Sequence, residues 1–463
     1  MFDSSHTWMV AVPSLVSLAA YALAWCLAIG WFVSTCIRSN RSRLQPGPRG
    51  LTVLKTLCGA DEELERNLRS FLAVDHEPLQ LVFGAAHPFD PALLLVRCLA
   101  KEYPRREIAI VYGADPAVPN PKVALLEHLL RHARHDVILL SDSNARLRPG
   151  EITRVLPLFD DPRVGMVYQP VVAVGERTVP AAVENLHYTE YAAFLTIGCR
   201  LLAGQHTVNA KGQWVRRQAL DDVDGFDRVG ACGADDYELS RQVAQAGWTI
   251  RAAEVPVRVI QRDWSWSSLT ARNLRHAGLR WRICPWAYPL ELLFNPIPWA
   301  LPFLATGRRD LALLAAAVII AKVLMEVTAA RLIRGVPLAA RFVAVIPLKD
   351  LYIFGCWFVA LFARTTMWRG RRYRFGDSGR IEPLDAPQSA TAPLTIRRVG
   401  QASACRGFSN ARRLRAPRIP SPDVRLRPPG YGSLGCACAA PSMAPLVTYA
   451  VSGTRGARIL PNS

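Results

Sequence analysis

Hydrophobic and polar positions divide the chain into stretches of different kinds. Thr7 to Ile37 carries no charged residue. That exceeds the roughly 20 apolar residues a membrane helix needs, and Trp8, Trp25 and Trp31 suit the two interfaces. Arg38, Arg41, Arg43 and Arg49 follow, which places this flank in the cytosol and the N-terminus outside. Gln45-Pro46-Gly47-Pro48 ends any helix. From Leu51 the pattern alternates. Short apolar runs predict strands over 51–57, 79–86, 107–112, 137–140, 164–172 and 249–260. Helical spacing predicts helices over 61–74, 91–103 and 123–132 and from Asp235, with strand and turn over 201–220. Strands alternating with helices predict an α/β fold with a mostly parallel sheet covered on both faces. Beyond Pro285 three apolar segments recur, 287–305, 311–330 and 342–363, followed by the five arginines of 364–374. If both basic flanks are cytosolic, an even number of these segments crosses, and the four prolines of 287–305 mark it as the one that does not. The expected division is a transmembrane helix at 7–37, a cytosolic domain at 51–284, membrane segments at 285–374 and a tail at 386–463.

Composition agrees with a membrane protein. The 463 residues are 51% hydrophobic and carry a formal net charge of +19. No zinc-finger spacing and no basic helix joined to heptads is present, so no nucleic-acid partner is expected. About half of the charge excess lies beyond Ala386, where eleven arginines face one aspartate. That Pro-, Ser- and Arg-rich tail lacks periodicity and reads as disordered. The eleven cysteines are scattered, several within apolar runs, as in a reducing setting.

The candidate chemistry centres on Asp136 to Pro149. The run Val137–Leu140 leads directly into Ser141-Asp142-Ser143-Asn144. In open α/β sheets ligands sit outside the carboxyl ends of the strands, so Asp142 and Asn144 would stand at the rim of a pocket. A carboxylate and an amide oxygen at this spacing suit a hard divalent cation, Mg or Mn, that also holds phosphate oxygens. The same residues also read as a strand ending in an Asx turn. Asp235-Asp236 opens a helix, where the dipole favours acids in any case. No glycine-rich phosphate loop follows any predicted strand, so a nucleotide would have to be held by side chains.

Five short motifs occur in order: Val53-Leu54-Lys55 with Gly59-Ala60-Asp61, then Asn120-Pro121-Lys122, Ser141-Asp142-Ser143, Asp235-Asp236-Tyr237 and Arg280-Trp281. Set between membrane flanks, they resemble the ceramide glucosyltransferases, glycosyltransferase family twenty-one, within the family-two-like GT-A enzymes. The resemblance covers roughly 51–384 and implies a GT-A-like nucleotide-sugar-binding domain. It implies that Asp61 lies near the uridine, Asn120 and Lys122 near the donor phosphates, and Asp142 at the metal and diphosphate. It gives Asp236 the role of catalytic base and places Arg280 and Trp281 at the end of a Q/R-x-x-R-W motif. One position departs: Ala277 stands where Gln or Arg is expected, with Arg275 and His276 adjacent.

The implied activity is inverting transfer of a hexose, glucose, from a UDP-sugar to a lipid hydroxyl, that of ceramide, giving a β-glycolipid. The implied location is integral and multi-pass, with a cytosolic catalytic domain, in a bacterial inner membrane. Two readings compete. One is a hopanoid-associated transferase of N-acetylglucosamine; the other is an inactive membrane scaffold that keeps the fold, made thinkable by Ala277.

Overall fold

The computed structural model describes residues 4–41 and 49–385, apart from residues 199, 202, 203, 205 and 210. The Gln45–Pro48 linker and the tail 386–463 lie outside the described residues. A 38-residue helix, α1 (Ser4–Arg41), comes first. It is followed by β1 (Leu51–Thr56), α2 (Leu64–Leu72), β2 (Leu79–Ala85), α3 (Pro91–Glu102), β3 (Glu107–Tyr112), α4 (Pro121–Leu130) and β4 (Val137–Asp142). Next come β5 (Ala145–Arg146), α5 (Glu151–Val155), β6 (Val164–Tyr168), β7 (Val171–Val174) and α6 (Val179–Tyr191). Then follow β8 (Gln213–Arg216), α7 (Arg217–Asp221), α8 (Asp235–Gln245), β9 (Thr249–Ala252), β10 (Val257–Ile260) and α9 (Trp266–Ile283). The last described elements are α10 (Pro296–Leu304), α11 (Arg309–Arg334), α12 (Val345–Phe362), β11 (Thr365–Trp368), β12 (Arg371–Phe375) and β13 (Ile381–Pro383).

The main sheet has seven strands in the order β3-β2-β1-β4-β8-β6-β9. β1 pairs parallel with both β2 and β4, while β8 runs antiparallel between β4 and β6. β4 is buried on both faces. Val137 and Leu139 join one core layer, and Ile138 and Leu140 the other. A strand covered on both faces needs apolar residues at every position, which is why this one reads as an unbroken run. Each such side chain contributes about 2 kcal/mol by leaving water.

Two predicted strands are each divided in two. Residues 164–172 form β6 in the main sheet and β7 in a second sheet ordered β5-β10-β7. Residues 249–260 split the same way into β9 and β10. Pro170 and Pro256 lie in the two breaks; proline has no N–H to give a ladder, and the chain changes sheets there. The sheet β11-β12-β13 brings the end of the described chain back to the soluble domain. Gly233 N–H donates to Gly379 O at 2.9 Å and Ile381 N–H to Ala231 O at 2.8 Å.

Among the described residues three helices are long and apolar enough to cross a membrane: Val12–Trp31, Arg309–Arg334 and Ala340–Phe362. They overlap the apolar segments 7–37, 311–330 and 342–363. The proline-rich segment 287–305 folds as a 3-10 turn (Tyr288–Phe294) and α10, and lies along α1. Ser17 Oγ donates to Leu293 O at 2.7 Å, and Leu18 packs on Ala300, Phe303 and Leu311. α12 lies along α9. Ile346 packs in one cluster with Leu269, Ala360 in another with Ala277, and Arg282 donates to Ala363 O at 2.7 Å.

A charged knot explains this docking. Lys322 and Glu326 of α11, Lys349 and Asp350 of α12 and Glu190 of α6 are all buried together. Lys349 Nζ reaches Glu190 Oε2 at 2.7 Å and Glu326 Oε1 at 2.8 Å, and Lys322 Nζ reaches Glu190 Oε1 and Asp350 Oδ1 at 3.1 Å. Tyr21 of α1 accepts from Lys322 at 2.9 Å. Removing one partner of a buried ion pair strands the other, at about 3–5 kcal/mol. Lys349→Met should therefore lower the unfolding midpoint of the detergent-solubilised chain clearly. A midpoint equal to wild type would show that the knot does not fasten these helices.

Candidate active site

The site forms where β1 and β4 end. Lys55, fully buried near the end of β1, donates to Ser141 Oγ at 3.1 Å and to the Asp142 carbonyl at 2.7 Å. This fixes the β4 terminus, so Asp142 projects from a rigid base. Beside it Ser143 Oγ donates to Asp61 Oδ2. Asn120 caps α4, accepting from the backbone N–H groups of Lys122 and Val123, while its Nδ2 donates to Cys232 O at 2.8 Å and to Asp235 Oδ1 at 3.3 Å. One side chain thus starts a helix and ties it to the loop before α8.

Lys122 bridges these parts. Its Nζ lies 3.1 Å from Asp235 Oδ2 and 3.7 Å from Asp142 Oδ1. Burial lowers its pKa, but Asp235, Asp142 and Asp236 outweigh that and hold it above the ordinary lysine value. Burial likewise raises Asp142, yet Lys211 and Lys122 hold this carboxyl below the usual range. Asp236 accepts a backbone hydrogen bond from Tyr237 on Oδ1 at 2.9 Å, and Gln213 Nε2 donates to its carbonyl at 3.4 Å. Its charge acts on Lys122 and on the Tyr188 hydroxyl, which Asp142 also influences. Asp61, Asn120, Lys122, Asp142 and Asp235 therefore share one mouth, with Asp236 next to Asp235 at the start of α8.

Arg280 and Trp281 are placed elsewhere. Arg280 forms a two-pronged pair with Glu291, at 2.7 and 3.0 Å. It lines an open cavity with His187, Asn273, Ala277, Glu291 and Trp357. Trp281 packs on Tyr288 at 5.7 Å between ring centres. On the same helix, Arg275 stacks on Trp368 at 4.8 Å. Burial, Arg272 and Arg369 push Arg275 down to about 9 against the pull of Asp235 and Glu184.

Sequence reading missed Lys211, which is buried. Its ammonium donates to Asp142 Oδ2 and, at 3.2 Å, to Asn144 Oδ1. Burial lowers its pKa against the pull of Asp142. Nothing in the spacing signals it, because 69 residues separate it from Asp142. It engages the two oxygens expected to hold a divalent ion. Among the described residues no group of three or more His, Cys, Asp or Glu could hold a metal. With one ammonium on each carboxylate oxygen of Asp142, the residues present do not fit a resident divalent ion.

A mostly parallel sheet with this mouth at its strand ends is the GT-A-like arrangement. The chain belongs to glycosyl transferase family 21, whose model matches residues 7–381. It is 23% identical over 296 residues to ceramide glucosyltransferase 3 of Caenorhabditis elegans, covering 62% of this chain and 63% of that one. It is 27% identical over 209 residues to ceramide glucosyltransferase 1 of the same organism, covering 44% of each. The chain therefore spans less than two thirds of these relatives. Among solved structures, the mannosyltransferase PcManGT from Pyrobaculum calidifontis, in complex with GDP-Man and Mn2+, is 18% identical with a TM-score of 0.43, covering 75% of this chain and 99% of that one.

Asn120→Ala removes a cap worth about 1 kcal/mol and releases Asp235. Amide exchange over residues 231–237 should rise and the unfolding midpoint should fall. Unchanged exchange there would show that Asn120 does not hold the acidic loop.

Proposed function

We propose that this chain is a membrane-bound inverting glycosyltransferase that moves a hexose, glucose, from a UDP-sugar to the hydroxyl of a membrane lipid, ceramide, giving a β-glycolipid. The observation that carries this reading is the convergence of Asp61, Lys122, Asp142 and Asp235 at the carboxyl ends of β1 and β4, with Asp236 at the start of α8. In the transfer the acceptor oxygen bonds to the anomeric carbon as the bond from that carbon to the β-phosphate oxygen breaks. The bonding pair leaves on the diphosphate, and the hydroxyl proton passes to Asp236. Charge growing on the leaving group is stabilised by fixed cations, a task that suits Lys122 and Lys211. Attack opposite the leaving group inverts the anomeric centre.

The acceptor is proposed to enter from the membrane side. Apolar residues such as Leu313, Ile320 and Leu324 of α11 are exposed, and water-facing helices do not favour such a surface. In this topology α1 brings the chain into the cytosol. α11 and the helix over 340–362 are the two further candidate crossings, and the 288–304 segment packs along α1 without being one.

Purified chain should be assayed with labelled UDP-glucose and UDP-N-acetylglucosamine against ceramide and a hopanoid polyol. Glucosylation of ceramide is expected. Transfer of N-acetylglucosamine to the hopanoid alone would replace the substrate assignment, and no transfer with a folded chain would favour a scaffold. Asp236→Asn should lower kcat by about 10²–10⁴ with the donor KM little changed. Equal turnover would remove Asp236 as the base.

A further inference from the structure

We propose that Lys211 supplies, from within the chain, the positive charge that a divalent cation would otherwise bring to the leaving diphosphate. This rests on the glycosyl-transfer reading above.

The geometry singles out one position. Asp142 Oδ2 and Asn144 Oδ1 are the oxygens that project together from the end of the central strand, and Lys211 Nζ donates to both. An ammonium has three N–H donors and no acceptor. Two are used by these partners, and the third is left for a phosphate oxygen. The side chain is held in place: only 9% of it is exposed, and it stands in the turn two residues before β8, which is paired to β4 and β6. This is an anchored charge, not a mobile surface lysine.

Its surroundings disfavour exchange for a metal. The other oxygen of Asp142 faces Lys122 at 3.7 Å, and Lys55 donates to the Asp142 carbonyl at 2.7 Å. A divalent ion at Asp142 would have to displace a buried ammonium and then sit among the remaining ones, where like charges repel. Lys211 and Lys122 together form a two-cation clamp on either side of Asp142. The carboxylate spaces the two ammonium groups. When the bonding pair leaves with the β-phosphate oxygen, the added charge meets N–H donors already in position, so no ion has to be recruited.

The test is UDP binding by calorimetry and sugar transfer by the full-length chain in lipid nanodiscs, each with excess chelator and with added Mg2+ or Mn2+. Wild-type affinity and turnover should agree within about twofold across these conditions. Lys211→Met should lose about 10²–10³ in turnover, the range for removing one pre-positioned donor. Any activity it keeps should rise on adding Mn2+. Wild-type UDP binding that disappears in chelator and returns with metal would overturn the proposal while leaving the transferase reading intact. This arm needs no variant, so a misfolded Lys211→Met would not shield the proposal. Failure to bind UDP under every condition would remove the transferase reading, and this inference with it.

Discussion

Asp142 stands at the end of a strand buried on both faces, with an ammonium group on each carboxylate oxygen. The site depends on that alternation of charge. A buried carboxylate without partners would take up a proton, and buried lysines without carboxylates would lose theirs. Set between one another, each favours the charged form of its neighbour against burial. The separations in the chain are large, with Lys211 lying beyond α6 and Lys122 at the start of α4. Only the folded sheet brings them together, so the charge pattern and the sheet order are one constraint.

The membrane part meets this mouth through α6 and α9. One end of α6 carries Tyr188, whose hydroxyl responds to Asp142 and Asp236; two residues on, Glu190 enters the buried knot with Lys322 and Lys349. α9 pairs Arg272 with Glu184 of α6, beside Tyr188, and has Ala277 and Arg280 toward the apolar cavity. Two helices are therefore shared between the polar chemistry and the lipid-facing packing. A reaction joining a soluble nucleotide sugar to a lipid needs such shared walls.

Much of the fold was legible because its signals are local. Runs such as Val137–Leu140 announce a doubly covered strand, and Asn120-Pro121 announces a helix start. The divided strands were legible in principle at Pro170 and Pro256, but apolar residues on both sides masked the breaks. α6 escaped the periodic pattern because it is buried nearly all round, with Glu184, Asn185 and Glu190 inside alongside Ala181 and Val183. Which helices α12 packs on could not be read from hydropathy. What decides it is the partners of Lys349 and Asp350, which lie on other helices. At the site, Asp61, Asn120, Lys122, Asp142 and Asp236 were legible from short motifs in order. Lys211 was not, because a single lysine far from its partner leaves no spacing. Arg280 was read with the donor group from its motif, and Glu291, eleven residues on, is the partner that takes it toward the cavity instead.

An experimental structure of the full chain with UDP bound would decide whether this mouth is the donor site. The β-phosphate should lie within about 3 Å of the Lys211 and Lys122 ammonium groups, with the uridine beside Asp61. A diphosphate seated against Arg280 in the cavity between α6, α9 and α12, with Lys122 and Lys211 still paired only to acids, would contradict it.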